Sequence, residues 1–207
     1  MALSSEQLQN FHVSFLFAPS PDPPPHLHQT LNRQWHKAEK ILLQIAERCQ
    51  HWNPQGFSVY VAGVPPYRYS NLTPSQLTQI FEQGYAPPRL DLLAALETVL
   101  QDFFNRRDHP HNTYRGEIIL VILDQEPKHR QKLIRRLVDS SHRLHHEHEL
   151  GVLFAQIGED ILTKGFLHAL DNDLHRAGAR HDIVDARQLL DLQPDSIDQF
   201  LLNALVD

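Results

Sequence analysis

The sequence predicts a doubly wound α/β fold, a mostly parallel sheet flanked by helices. Three observations carry that expectation. Short apolar runs alternate along the chain with amphipathic segments of helical spacing. One run, residues 117–123 (EIILVIL), is almost wholly apolar, as a strand covered on both faces must be. Turn signals such as Asn53-Pro54-Gln55-Gly56 separate the two kinds of segment.

Each element follows from its own pattern. Residues 11–17 (FHVSFLF) read as the first strand, and the spacing of Trp35, Ala38, Leu42, Ile45 and Cys49 predicts a helix over 29–51. Residues 57–63 (FSVYVAG) are rich in strand formers, and 64–71 form a short edge strand, because Pro65 and Pro66 exclude a central one. Thr73-Pro74 opens a helix over 73–83 as cap and first-turn proline. Leu92, Ala95, Leu96, Val99 and Phe103 share one side of a helix over 91–107. After the 117–123 strand come a helix over 127–148, a strand over 152–157, a helix over 163–177, a short strand over 181–184 and a closing helix over 195–206. Residues 1–10 read as an N-terminal extension to a single domain over 11–207.

The totals limit the function. A length of 207 residues, 41% of them hydrophobic and 21% charged, suits one soluble domain, and the net charge of −6 argues against nucleic acid as the partner of the whole molecule. The start, MALSSEQLQN, lacks a basic leader with an apolar run, and no stretch approaches a bilayer span, so the expectation is a cytoplasmic protein with no membrane insertion. The single cysteine, Cys49, excludes an intramolecular disulfide and falls in a helical apolar stripe, as a core thiol does. No Gly-rich phosphate loop and no GxSxG elbow occurs, so neither a cofactor nor a catalytic role is expected.

Ligands of such sheets bind at the carboxyl ends of the strands. Here those ends lead into residues 18–28, 64–67, 124–128 and 158–160. The first contains PSPDPPP, five prolines in residues 19–25, which reads as a stiff loop or as an extended ligand for a proline-recognising domain. His26 and His28 lie beside it. His142, His145, His146 and His148 form a denser set, either a solvated helix end or part of a metal site with Glu149. Lys128, Lys132, Arg135, Arg136 and Arg143 share a helix face, either solvated or a docking stripe for an acidic partner.

The segment EIILVILDQEPKHR (117–130) resembles the strand-then-DGEP segment of von Willebrand factor A (vWA) domains, with Gln125 in place of glycine. NPQGFSVYVAG (53–63), NLTPSQLTQIF (71–81), LDLLAALETVLQDFF (90–104), FAQIGED (154–160) and FLHALDNDLHRAGARHDIVD (166–185) extend the likeness over most of the chain. In order and spacing they are similar to compact stand-alone bacterial vWA proteins, particularly cyanobacterial ones. The resemblance implies a Rossmann-like vWA fold and a metal-ion-dependent adhesion site at the strand ends, where hard oxygen ligands surround a Mg²⁺-type cation. Carried over by position, the first Asp of that site falls on Phe17, its two serines on Pro19 and Pro21, and its Thr on Leu90, with Arg89 adjacent. Only the last Asp persists, as Asp124. A one-residue slip would bring Ser20 and Asp22 into ligand places and put the strand out of register.

The resemblance therefore implies a degenerate metal site. The expected function is non-enzymatic: a protein-interaction module, acting as adaptor, scaffold or assembly factor. It would dock a partner protein without metal through Pro19, Asp22, His26, Tyr85, Arg89, Asp124 and Lys128, with the Arg89 guanidinium neutralising Asp124. The alternative is divalent-cation-dependent adhesion through an altered site built on Asp124, Asp91 and Asp22, or on histidines.

Overall fold

The computed structural model describes residues 5–205. Twelve regular elements follow one another: β1 (Phe11–Ala18), α1 (Pro25–Trp52), β2 (Phe57–Val61), β3 (Tyr67–Leu72), α2 (Pro74–Gln83), α3 (Leu92–Arg107), β4 (Gly116–Leu123), α4 (Arg130–His142), β5 (Leu150–Gln156), α5 (Ile161–Asp173), β6 (Val184–Gln188) and α6 (Ile197–Asn203). The strands form one sheet in the order β3-β2-β1-β4-β5-β6. All neighbours pair in parallel except β3, the antiparallel edge strand beside β2. This is the expected α/β architecture, a mostly parallel sheet between helical layers.

Alternation along the strands divides the core. Phe11, Val13, Phe15 and Phe17 pack with α1, α2 and α6, whereas Leu16, Ala18, Tyr60, Ile119 and Val121 pack with α3, α4 and α5. Parallel register holds β1 and β4 together over their full length, Phe11 opposite Gly116 and Ala18 opposite Leu123. The chain leaves β1 toward β2 and later returns to β4 on the other side. The ends of β1 and β4 thus flank the point where strand order reverses, which is where open α/β sheets form a crevice.

Local chemistry sets several boundaries. Thr73 caps α2 in a reciprocal capping box with Gln76, and Pro25 opens α1 at a first-turn position where its missing N–H costs nothing. Gly56 has φ +88°, and an added Cβ would lie 2.5 Å from the Leu72 carbonyl oxygen, so the turn into β2 requires glycine. The helix expected over 127–148 stops at His142, because Ser141 Oγ bonds back to the Val138 carbonyl (2.7 Å) and accepts from the Arg180 N–H (3.0 Å). The helix expected over 163–177 begins earlier, where the Asp160 carboxylate accepts from the Thr163 N–H, and ends at Asp173. The last strand is Val184–Gln188 rather than 181–184. As an edge strand (VDARQ) it is buried mainly at its start, so its later residues carry no apolar signal. The closing segment is a 3₁₀ turn, Pro194–Ser196, followed by α6; Val206 lies outside the described residues. Ser5–Asn10 is a 3₁₀ helix whose Leu8 is buried in the core, so the domain takes in part of the segment read as an extension. Cys49 is buried as expected, and burial pushes its thiol up, away from the reactive thiolate.

Toward the N-terminal ends of β1, β2 and β4, the layer under α3 turns polar. His12 Nε2 lies 2.9 Å from Ser58 Oγ, Ser14 Oγ donates to Glu117 Oε1 (2.5 Å), and Arg106 of α3 pairs with Glu117 Oε2. Tyr60 donates to Asp102 (2.8 Å), which also pairs with Arg68 (3.1 Å). Burial pushes Glu117 up to about 7, against the opposing pull of Arg106 and Ser14. A carboxyl raised in the folded state stabilises the fold fully below its unfolded value, and that contribution is lost as pH rises through about 7. Glu117→Gln keeps an amide oxygen for its donors and cannot ionise. Its melting temperature relative to wild type should therefore rise between pH 5 and pH 8.5. A difference that is flat across that range would show that Glu117 does not titrate there.

Candidate functional site

Four loops meet at the carboxyl ends of the central strands. The loop after β1 crosses to the end of β4, where the Ser20 N–H donates to both Asp124 oxygens (2.9 and 3.2 Å) and Ser20 Oγ donates to Gln125 Oε1 (3.2 Å). From α1, Trp35 Nε1 donates to Asp124 Oδ2 at 2.7 Å. Asp124 is 6% exposed. Burial pushes its pKa above the ordinary carboxylate range, and the Trp35 and Ser20 donors pull the other way by favouring the ionised form. Arg89 forms no ion pair with Asp124 among the described residues. The expected guanidinium is replaced by a neutral indole and a backbone N–H.

Trp35 is held in place by an aromatic cluster. Its ring lies 5.8 Å from Tyr85, Tyr85 lies 5.2 Å from Phe17 and 5.3 Å from Phe81, and Phe17 lies 5.6 Å from Phe81. Phe17, onto which the vWA resemblance carries the first Asp of the expected adhesion site, is fully buried on the α1 side of the sheet. Tyr85 also points inward, with its hydroxyl donating to Glu39 (3.3 Å), so it supports the site from behind. Pro19 is buried as well.

On the α3 side of the same loops lies a cleft of about 430 Å³. Pro21 and Asp22 reach it from the β1 loop, Arg89 and Leu90 from the segment before α3, and Lys128 and His129 from the loop after β4. Arg89, Lys128 and His129 are exposed and form no ion pair among the described residues. The cleft's other carboxylates have separate roles: Asp91 caps α3 through the Ala94 N–H (3.0 Å), and Glu126 pairs with Arg130. His26 lies on the exposed first turn of α1, outside the cleft lining.

The fold thus gathers Pro21, Asp22, Arg89, Leu90 and Lys128 at one opening, with Asp124 behind it and Pro19 and Tyr85 packed beneath. The four-histidine set does not converge. His142 Nε2 contacts the Gly178 carbonyl (2.9 Å), and His148 Nδ1 contacts the Leu205 carbonyl (2.6 Å). Among the described residues, no three His, Cys, Asp or Glu side chains are grouped so as to hold a metal ion. The basic α4 face also divides, since Arg136 pairs with Glu97 (2.6 Å) and Arg143 lies 3.5 Å above the Phe104 ring. Sequence reasoning missed Trp35 as a site residue. Its place in an amphipathic stripe marks the ring as core, and nothing in the pattern reports where the indole N–H points.

No protein-family model matches the chain, and no curated protein matches it. Among solved structures, manganese-loaded TRAP protein from Plasmodium vivax aligns over 93% of this chain and 74% of that one, at 10% identity and a TM-score of 0.49. No described helix is long and apolar enough to cross a membrane.

The Trp35–Asp124 bond can be tested by a double-mutant cycle. Trp35→Phe should cost about 1–3 kcal/mol by leaving a buried carboxylate one donor short. Combined with Asp124→Asn, it should cost less than the sum of the single changes by roughly 0.5 kcal/mol or more. Urea unfolding measures both. Strict additivity would mean that the bond contributes nothing.

Proposed function

We propose that this protein is a non-enzymatic interaction module that docks a partner protein through the cleft at the strand carboxyl ends, without a metal ion. One observation carries this reading: the carboxylate at the end of β4 is already bonded to Trp35 and Ser20 of its own chain, and the cleft beside it offers Arg89 and Lys128 without internal partners. Guanidinium and ammonium groups aimed outward from a rigid rim attract carboxylates directly, a role that a bridging cation would otherwise fill. The vWA resemblance supports the same reading, because that fold commonly mediates protein–protein contact. Under this proposal the chain is an adaptor, scaffold or assembly factor, and the exposed face bearing Asp22, Arg89 and Lys128 selects its partner.

The test is affinity purification of the tagged protein from its native cells in Mg²⁺ and in EDTA, with wild type and the Arg89→Glu/Lys128→Glu double variant. Wild type should retain the same partner in both buffers. Charge reversal should reduce retention at least tenfold without lowering the melting temperature. Partner loss in EDTA would instead establish cation-dependent adhesion and overturn the metal-free reading. Equal retention by the variant would remove this cleft as the docking site.

A further inference from the structure

A second opening lies at the opposite end of the sheet, against the polar layer under α3. It is a cavity of about 430 Å³, lined by Arg68 of β3, Asp102 and Arg106 of α3, and His109, His111 and Tyr114 of the loop before β4. Gln55, Asn105, Asn112 and Thr113 add amide and hydroxyl groups. The wall is braced from within. Asn112 Nδ2 donates to the Tyr114 carbonyl (2.9 Å), Asn112 Oδ1 accepts from the Tyr114 N–H (3.1 Å), and the Tyr114 hydroxyl accepts from Asn53 Nδ2 (2.7 Å). Asp102, held by the Tyr60 hydroxyl, orients the Arg68 guanidinium. Behind Tyr114, its ring 5.3 Å away, His12 is 4% exposed, and its Nδ1 has no hydrogen-bond partner among the described residues.

Cationic side chains outnumber carboxylates in this lining, unlike in the whole chain, whose net charge is −6 with histidines counted neutral. Two arginines and two histidines line the opening, and Asp102 is the one carboxylate in the lining. Glu117, which pairs with Arg106, is itself 1% exposed and so does not face solvent. Such a set, cationic planar donors with amides and a braced wall, matches the acceptor-only surface of an oxyanion.

We infer that this cavity is a binding site for a small oxyanion, a phosphate or carboxylate group, held by Arg68 and Arg106 with His109 and His111 closing the rim. It lies at the N-terminal end of the strands, so it stands independently of the docking cleft at the other end. Burial pushes the pKa of Glu117 up, which lowers the negative charge that would compete with an incoming anion near neutral pH.

Isothermal titration of the purified full chain with inorganic phosphate, and separately with succinate, tests the inference and distinguishes the two sources of oxyanion. Sodium chloride at matched ionic strength serves as the reference. Arg106 is tied to buried Glu117, so the variants are Arg68→Gln and His111→Gln, whose side chains reach solvent. Wild type should bind at least one of the two anions, and each variant should weaken that binding about fivefold or more while melting within a few degrees of wild type. No binding of either anion by wild type, or an affinity unchanged in both variants, would overturn the assignment.

Discussion

A carboxylate taken out of water at the end of a central strand has to be answered by donors, and much of this structure's upper half follows from how Asp124 is answered. Leaving such a group unpaired would cost several kcal/mol. The donors come from two distant parts of the chain, the first loop through Ser20 and the first helix through Trp35. The loop must therefore cross over β4, and α1 must lie close enough to the sheet for its indole to reach down. Phe17, Phe81 and Tyr85 then fill the space around that indole. One buried charge thus sets the loop path, the helix position and the aromatic packing together.

The two ends of the sheet solve related problems differently. At the carboxyl ends, the acid is satisfied by neutral donors, and Arg89 and Lys128 stand at the surface. At the amino ends, Glu117 and Asp102 are answered by arginines, and Ser14, Ser58, His12 and Tyr60 complete the network. Neutral donors leave the nearby field to the exposed side chains. Arginine pairs in a half-buried layer line an opening instead, and each guanidinium has five donors, of which these pairs use only some.

Legibility in the sequence followed physical visibility. β1, β4 and β5 were plain because strands covered on both faces must be apolar, whereas β6, at an edge, advertised only its first residues. That Phe17, Pro19 and Pro21 offer no side-chain oxygen was plain because it depends on residue type alone. What surrounds Asp124 was not, because it depends on direction: Trp35 and Tyr85 read as an apolar stripe and a surface aromatic until the helix is docked on the sheet. Arg89 was the natural complement to Asp124 by charge, and geometry chose a neutral partner instead. The polar layer had a signal that went unread. His12 and Ser14 alternate with Phe11, Val13 and Phe15, a period of two that puts both polar groups on one face of a buried strand.

The prolines that follow β1 acquire a different meaning from this arrangement. A ring-locked backbone has few conformations to surrender, so a loop carrying Pro19, Pro21, Pro23 and Pro24 and running into Pro25 of α1 meets most of its ordering cost when the chain folds. Pinned further through Ser20, it presents Pro21 and Asp22 to the cleft in a shape that needs little adjustment. Under the proposed docking, a partner would gain contact without having to freeze the surface it touches. The entropy of ordering this loop is thus met at folding rather than at any later contact.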